Sequence, residues 1–494
     1  MWIFNTPDET ANYFFIDQFS QSGNLTQDEP LNNLSDFKLV HPRGTTVIGE
    51  SIAPGTFLGF ILFEGAVSKI ITPAFAFAVI PFFSIFTVLC FYFLIKEIFG
   101  DKIAFWSALL LLFLPAFWYY NSRSLFNNVL FVDFLIIGWY FLRRSQSRQK
   151  ILFLIFGGLI IGLALTMRTS DALWVGVLSL VCFFSGRNKK QFWPIIIFAV
   201  FVFLPFIPIL FFQNQLFGSP FAVGYAPKIL EKSAGASPMV FWFKQFIAPF
   251  GFNLENVAFN IYHYFVQMFW WLFWPAFFGA LTVIIFWRKN FEKKIKIYFI
   301  SFFAVSFLIC LYYGSWFFYN NLMMKPLIGS SQARYLLPIY IMSLPLLVYF
   351  ADFILSRIKI KKARLAIGSV ALIAFIGLSI NSVFFAGEES LSSIIKTVKN
   401  YQLINKEVSS VTETDSVIIS SYSDKMFFPR RKVIFYWQEP RFLADIGKIA
   451  AVAPVYFYDI DNGREVEYIK NNSNLKYELV KKINEKESLY RILK

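Results

Sequence analysis

Ten apolar runs separated by short polar connections constrain this chain more than any other feature. They cover residues 71–95, 103–121, 125–142, 151–167, 171–185, 192–212, 265–287, 297–318, 335–355 and 365–384. A helix needs about 20 apolar residues to cross the hydrocarbon core, with a range of about 17–25. Lipid offers the backbone no hydrogen-bond partners, so each run is expected to be a spanning helix. The run 171–185 is short, and a re-entrant segment would also account for it. The chain is 57% hydrophobic and 16% charged, with a mean hydropathy of +0.55. A water-soluble protein of 494 residues would need far more polar surface. The fold class is therefore read as an all-α polytopic membrane helical bundle of about ten spans.

The connections alternate in charge. Lys96 and Lys102; Arg143, Arg144, Arg148 and Lys150; Arg187, Lys189 and Lys190; Arg288, Lys289, Lys293, Lys294 and Lys296; and Arg357, Lys359, Lys361, Lys362 and Arg364 fall in every second connection. Such connections mark the cytoplasmic side. Residues 1–70, the 213–262 loop, the 319–334 loop and residues 385–494 are then external to the cell (plasma) membrane. The net charge of +15 belongs to these clusters, which argues against a nucleic-acid partner. Cys90, Cys182 and Cys310 lie inside apolar runs, so no disulfide framework is expected. The first 50 residues are polar and acidic, without the pattern of a cleavable signal peptide.

Composition changes near Phe385-Ala386-Gly387. Val417-Ile418-Ile419, Lys432-Val433-Ile434-Phe435 and Val455-Tyr456-Phe457-Tyr458 read as strands, with helical patterns at 390–410, 440–451 and 463–471. Three regions follow: 1–70, an external acidic loop region with juxtamembrane helices; 71–384, the transmembrane helical domain; and 385–494, an external soluble α/β domain.

The candidate chemistry begins with Thr6-Pro7-Asp8-Glu9. Thr6 suits a helix N-cap, Pro7 the first helical position, and Glu9 the reciprocal acid of a capping box. That structural reading accounts for Glu9 better than for Asp8, which is left to act as a base. A second set is basic: Arg123 in a tight turn, Arg168 at the outer end of a run, and Lys325 and Arg334 flanking Gly329-Ser330-Ser331-Gln332-Ala333. For Arg168 the ordinary partner is Asp171, at helical pair spacing. For Lys325 the ordinary role is a solvated loop cation, and for Arg334 an anchor. Guanidinium groups also grip phosphate oxygens in a fork. His41-Pro42-Arg43-Gly44 reads as a loop turn first and a substrate contact second. Asp133 inside a run is expected to face the bundle interior and take a hydrogen bond. No glycine-rich phosphate loop, nucleophile elbow or metal-ligand spacing is present. A divalent metal is compatible with this chemistry, but no ligand cluster for one is evident.

Pro7-Asp8-Glu9, His41-Pro42-Arg43, Arg334-Tyr335-Leu336-Leu337-Pro338 and the external α/β tail together resemble the GT-C superfamily of integral membrane glycosyltransferases, which includes the protein O-mannosyltransferases and the lipid A aminoarabinose transferase. The resemblance implies transfer of a sugar from a polyprenyl-phosphate carrier on the external side, to a lipid, glycan or protein acceptor. It implies Asp8 as base and Arg334 as a phosphate ligand; from the residues' own chemistry Glu9 stands beside Asp8, and Arg168, Arg123 and Lys325 join Arg334 as candidates for the donor phosphate. His41, Arg43 and Tyr335 become further substrate contacts. Family members carry a transmembrane helix ahead of the acidic loop, so an upstream helix is expected, lost through a late start codon or a truncation. Closure of the 213–262 loop, with its Phe241-Trp242-Phe243 stretch, is expected to exclude water. The rival readings are a lipid-linked sugar transporter without chemistry and a scaffold whose tail binds partners.

Overall fold

The computed structural model describes residues 2–148, 151–184, 193–222, 224, 251–287, 292–317, 326–436, 440–461, 463–473 and 475–493. The chain forms two compact units. One comprises Met1–Ala76, Leu210–Lys228 and Ile394–Lys494; the other comprises Phe77–Ile209 and Ile229–Ser393.

The second unit is helical, and the described residues of all ten apolar runs are mainly helix. Among the described residues, five helices are long and apolar enough to cross a membrane: Pro73–Phe99, Trp193–Phe217, Lys293–Gly314, Leu337–Ser356 and Lys361–Phe385. Three bent pairs raise the number to eight if each pair is one span. The protein is a multi-pass membrane protein. The runs 151–167 and 171–185 form one such pair, broken by 115° at Arg168, so the short run is one arm of a bent element. The run 125–142 becomes the helix Asn127–Arg148, which is absent from both sets because its ends and Asp133 are polar. Its residues from Asn128 to Trp139 are all buried by protein. Asp133 therefore faces the interior, where it accepts a 2.7 Å hydrogen bond from Ser84 Oγ.

Small residues let this central helix approach its neighbour Ile151–Met167. A methyl group added at Gly138 would stand 2.6 Å from Ile161 Cγ1, and one at Gly157 would stand 3.0 Å from the Leu142 backbone nitrogen. The helices Asn127–Arg148 and Leu337–Ser356 start beside Arg123 and Arg334, respectively. At 1.5 Å per residue they carry the chain roughly 30 Å to the other end of the unit. There the basic connections meet: Glu97 receives Arg143 at its carboxylate and Lys294 Nζ at its carbonyl, 3.1 Å away, while Lys102 pairs with Asp352.

The first unit joins the chain's two ends. Helix Pro7–Ser22 packs on helix Leu58–Ile70, and between them lie three short antiparallel strands, Gln27–Asp28, Thr45–Ile48 and Ser51–Pro54. The C-terminal part carries a five-stranded sheet. Lys432–Phe435, Val417–Ser420 and Val455–Asp459 are parallel neighbours, and Ser488–Leu493 and Lys476–Lys482 extend the sheet antiparallel. Helices Leu391–Ser409, Leu443–Ala450 and Arg464–Asn472 complete it. Leu39 and Val40 are buried in the same core as Val417, Ile419, Ile434, Ile446 and Phe457, so the amino-terminal segment completes the C-terminal core.

Candidate functional site

Three arginines far apart in sequence meet at one end of the helical unit. Helix Pro115–Arg123 stops at Ser124, whose left-handed backbone (φ 57°) turns the chain so that Phe126 packs beside Arg123. Arg123 Nη1 donates to the Tyr119 hydroxyl one turn back, at 2.9 Å, and its guanidinium carbon lies 4.9 Å from the Phe126 ring centre. Arg334, in the short helix Ser331–Tyr335, donates to Ser331 Oγ at 2.8 Å and lies 4.6 Å from that same ring. Arg168 sits at the 115° break. It donates to Asp171 Oδ2 at 2.7 Å and to the Tyr313 hydroxyl at 2.5 Å. Its guanidinium lies 4.7 Å from the Tyr335 ring, which Arg334 also meets at 5.6 Å. Phe126 is thus shared by Arg123 and Arg334, and Tyr335 by Arg334 and Arg168. All three arginines are under a tenth exposed.

Tyrosines fix the frame around them. The Tyr120 hydroxyl lies 2.8 Å from the Ile328 carbonyl and 2.7 Å from that of Ser330, and Tyr264 bonds Ser330 Oγ at 2.7 Å. Gln332 Nε2 donates to the Tyr313 carbonyl at 3.0 Å. Tyr335 stacks on Tyr313 with ring centres 4.6 Å apart. Two carboxylates accompany the cations. Asp171 accepts from Arg168, Tyr313 and Trp174. Glu389 reaches Gly329, where a methyl group would collide with its Oε2 and stand 2.6 Å from the Tyr119 hydroxyl. Aromatic faces hold the guanidinium planes, and a planar fork of N–H donors matches phosphate oxygens.

Glu9 takes the capping position that the Thr6-Pro7-Asp8-Glu9 spacing suggests. Thr6 Oγ1 accepts from the Glu9 backbone nitrogen at 3.3 Å, and Glu9 Oε2 accepts from Thr6 N at 3.1 Å and Thr6 Oγ1 at 2.8 Å. With Pro7 in the first turn, this is a complete capping box. Glu9 is buried in it, whereas Asp8 is half-buried on the same turn.

His41 and Arg43 lie in the first unit, where they tie the amino-terminal segment to the C-terminal sheet. Arg43 donates three hydrogen bonds to Asp424, from its backbone N at 2.8 Å, Nε at 3.0 Å and Nη2 at 2.6 Å. Its guanidinium stands 4.7 Å from the Phe435 ring. His41 Nδ1 lies 3.1 Å from Thr45 Oγ1 in the turn expected there. Lys325 and Phe241-Trp242-Phe243 lie outside the described residues. Among the described residues, no group of three histidines, cysteines or acids gathers in a way that would hold a metal.

Sequence reasoning brought together Arg123, Arg168, Arg334 and Tyr335 but missed Tyr119, Tyr120, Phe126, Tyr313 and Glu389. Tyr119 had a usable signal, since it stands four residues before Arg123 on one helix face.

Residues 61–212 match the family described as dolichyl-phosphate-mannose-protein mannosyltransferase. The crystal structure of ArnT from Cupriavidus metallidurans bound to undecaprenyl phosphate is similar at a TM-score of 0.51 and 10% identity, covering 99% of this chain and 94% of that one. The fold is of the GT-C type. The apo state of the same ArnT aligns over the same shares at a TM-score of 0.40 and 11% identity. No curated protein matches the chain.

Proposed function

We propose that this protein is a membrane glycosyltransferase that moves a sugar from a polyprenyl-phosphate-linked donor to an acceptor hydroxyl on the external side of the plasma membrane. The observation that carries this reading is the sharing of two aromatic rings by three buried guanidiniums, at the end of the bundle opposite the basic connections. The family match and the GT-C fold support it, as does the undecaprenyl phosphate bound by the ArnT of similar fold.

In this reading Arg334 and Arg123 take the donor phosphate, with Arg168 holding Tyr335 in place. Asp8 accepts the proton of the acceptor hydroxyl as its oxygen attacks the anomeric carbon. The bond from that carbon to the phosphate oxygen breaks, and the lipid phosphate leaves with its new charge on the guanidiniums. Glu9 keeps the helix start rigid. The transferred group is a hexose or a pentose, and the acceptor a lipid, a glycan or a protein.

The bends of 115° and 102° in two helix pairs favour a second reading, a lipid-linked sugar transporter, because broken helices line many transport sites. A radiolabelled polyprenyl-phosphate sugar in proteoliposomes separates the two. The enzyme reading expects label on an acceptor with release of polyprenyl phosphate; unmodified lipid-linked sugar moved across the bilayer would replace it with transport.

A further inference from the structure

The helical unit contains a cavity of about 190 Å³ that belongs to no part of the arginine cluster. Its walls are apolar, with Phe91, Ile136, Leu178 and Ile341 among them, and Arg143, Lys293 and Lys294 stand at one end. That end is where the basic connections meet. Phe126 immediately precedes the helix Asn127–Arg148, so Arg143 lies about 25 Å along the axis from the cluster at 1.5 Å per residue. A phosphate held by Arg334 therefore cannot also rest on Arg143.

The cations at this end are only partly neutralised by neighbours. Arg143 gives one N–H to Gln146 Oε1 at 2.8 Å and another to Glu97, and a guanidinium has five. Lys294 reaches the Glu97 carbonyl at 3.1 Å and the Glu292 carboxylate at 3.5 Å. Lys293 is exposed and makes no ion pair among the described residues. An apolar slot capped by cations at a membrane boundary complements a molecule with a hydrocarbon chain and an anionic head. On the charge rule this end meets the cytoplasmic leaflet, where anionic phospholipids concentrate and basic pockets between helices bind their headgroups.

The geometry points to a site for an anionic glycerophospholipid, with part of one acyl chain in the cavity and the headgroup phosphate on Lys293, Lys294 and the remaining donors of Arg143. This lipid is distinct from the glycosyl donor and braces the five helices that line the cavity. The site stands whether or not the transferase reading does.

The test uses the full-length protein in nanodiscs of phosphatidylglycerol or phosphatidylcholine, extracted into mild detergent and weighed by native mass spectrometry. Wild type is expected to retain one phosphatidylglycerol and no phosphatidylcholine. Lys293→Gln with Lys294→Gln should lower that retention at least about ten-fold, since each surface cation contributes about 1 kcal/mol to such binding. Ser301→Phe, filling the cavity from its wall, should lower it with both lysines intact; a thermal melt checks that each variant is folded. Equal retention of the two phospholipids, retention unchanged in both folded variants, or displacement of phosphatidylglycerol by polyprenyl phosphate at equal concentration would each overturn the assignment.

Discussion

The first unit's junction and the second unit's arginine cluster use charge differently. In the first, cations and acids are paired where the chain's two ends meet: Arg43 with Asp424, Lys432 with Glu29 at 2.8 Å, and Lys448 with both Asp36 at 2.7 Å and Asp445 at 3.0 Å. In the second, three guanidiniums converge on two shared rings, and their partners include tyrosine and serine hydroxyls and the Asp171 carboxylate. Matched pairs fix geometry and leave little field for a ligand. Gathering like charges away from water is unfavourable for the protein alone and becomes favourable when an anion arrives. The first pattern is that of a latch, and the second is the one proposed to receive the donor phosphate.

The sharpest way to break the comparison is to remove the base. Asp8→Asn is expected to lower transfer by about 10²- to 10⁴-fold in a radiolabelled donor assay, with unchanged membrane insertion. Near-normal turnover would remove Asp8 from the mechanism. Next in size is Arg334→Gln, expected to reduce kcat/KM by about 10²- to 10³-fold because charge on the leaving phosphate loses a donor. Arg334→Lys should restore only part of this, since an ammonium lacks the planar fork. Arg168→Gln should behave differently: it leaves Asp171 buried without its cation, so the expected result is poor folding, seen as low yield and early aggregation.

On the latch side, Asp424→Asn should cost about 2–3 kcal/mol of stability in the first unit, read as a lowered Tm and faster proteolysis before residue 60. Transfer measured well below that Tm should change little. The smallest effect concerns Glu64, on the helix Leu58–Ile70. It is fully buried, neither carboxylate oxygen has a partner among the described residues, and burial holds its carboxyl well above the ordinary range. The unfolded chain loses this proton near its usual pKa of about 4.3, while the folded chain keeps it. Stability is therefore greatest below that pH and falls as pH rises toward the folded value. Glu64→Gln should melt like wild type near pH 4 and about 2 °C or more higher at pH 7. Parallel melting curves across that range would show that the carboxyl is not held neutral.

Legibility followed sequence distance. The capping box of Thr6 and Glu9 and the pairing of Arg168 with Asp171 were readable because each partner lies three residues away. The strands at 417, 432 and 455 were readable because they are buried on both faces and run as short apolar stretches. Strands Lys476–Lys482 and Ser488–Leu493 were not, since the first is an exposed edge strand studded with lysine. The pairs at 27–54 were hidden by strands of two to four residues. Phe126 and Arg334 are far apart in the chain, and among 65 phenylalanines nothing local marks the ring that Arg123 and Arg334 share. The chemistry-bearing residue types could be named from sequence; their convergence required the fold.

The most direct test of the central claim separates holding the donor from using it. Purified wild type, Asp8→Asn and Arg334→Gln would each be titrated with a polyprenyl-phosphate sugar and then followed through one turnover with acceptor. The account predicts that Asp8→Asn binds donor with the wild-type Kd yet releases no polyprenyl phosphate, whereas Arg334→Gln binds at least about ten-fold more weakly. Equal donor affinity in all three proteins, or prompt release by Asp8→Asn, would contradict it.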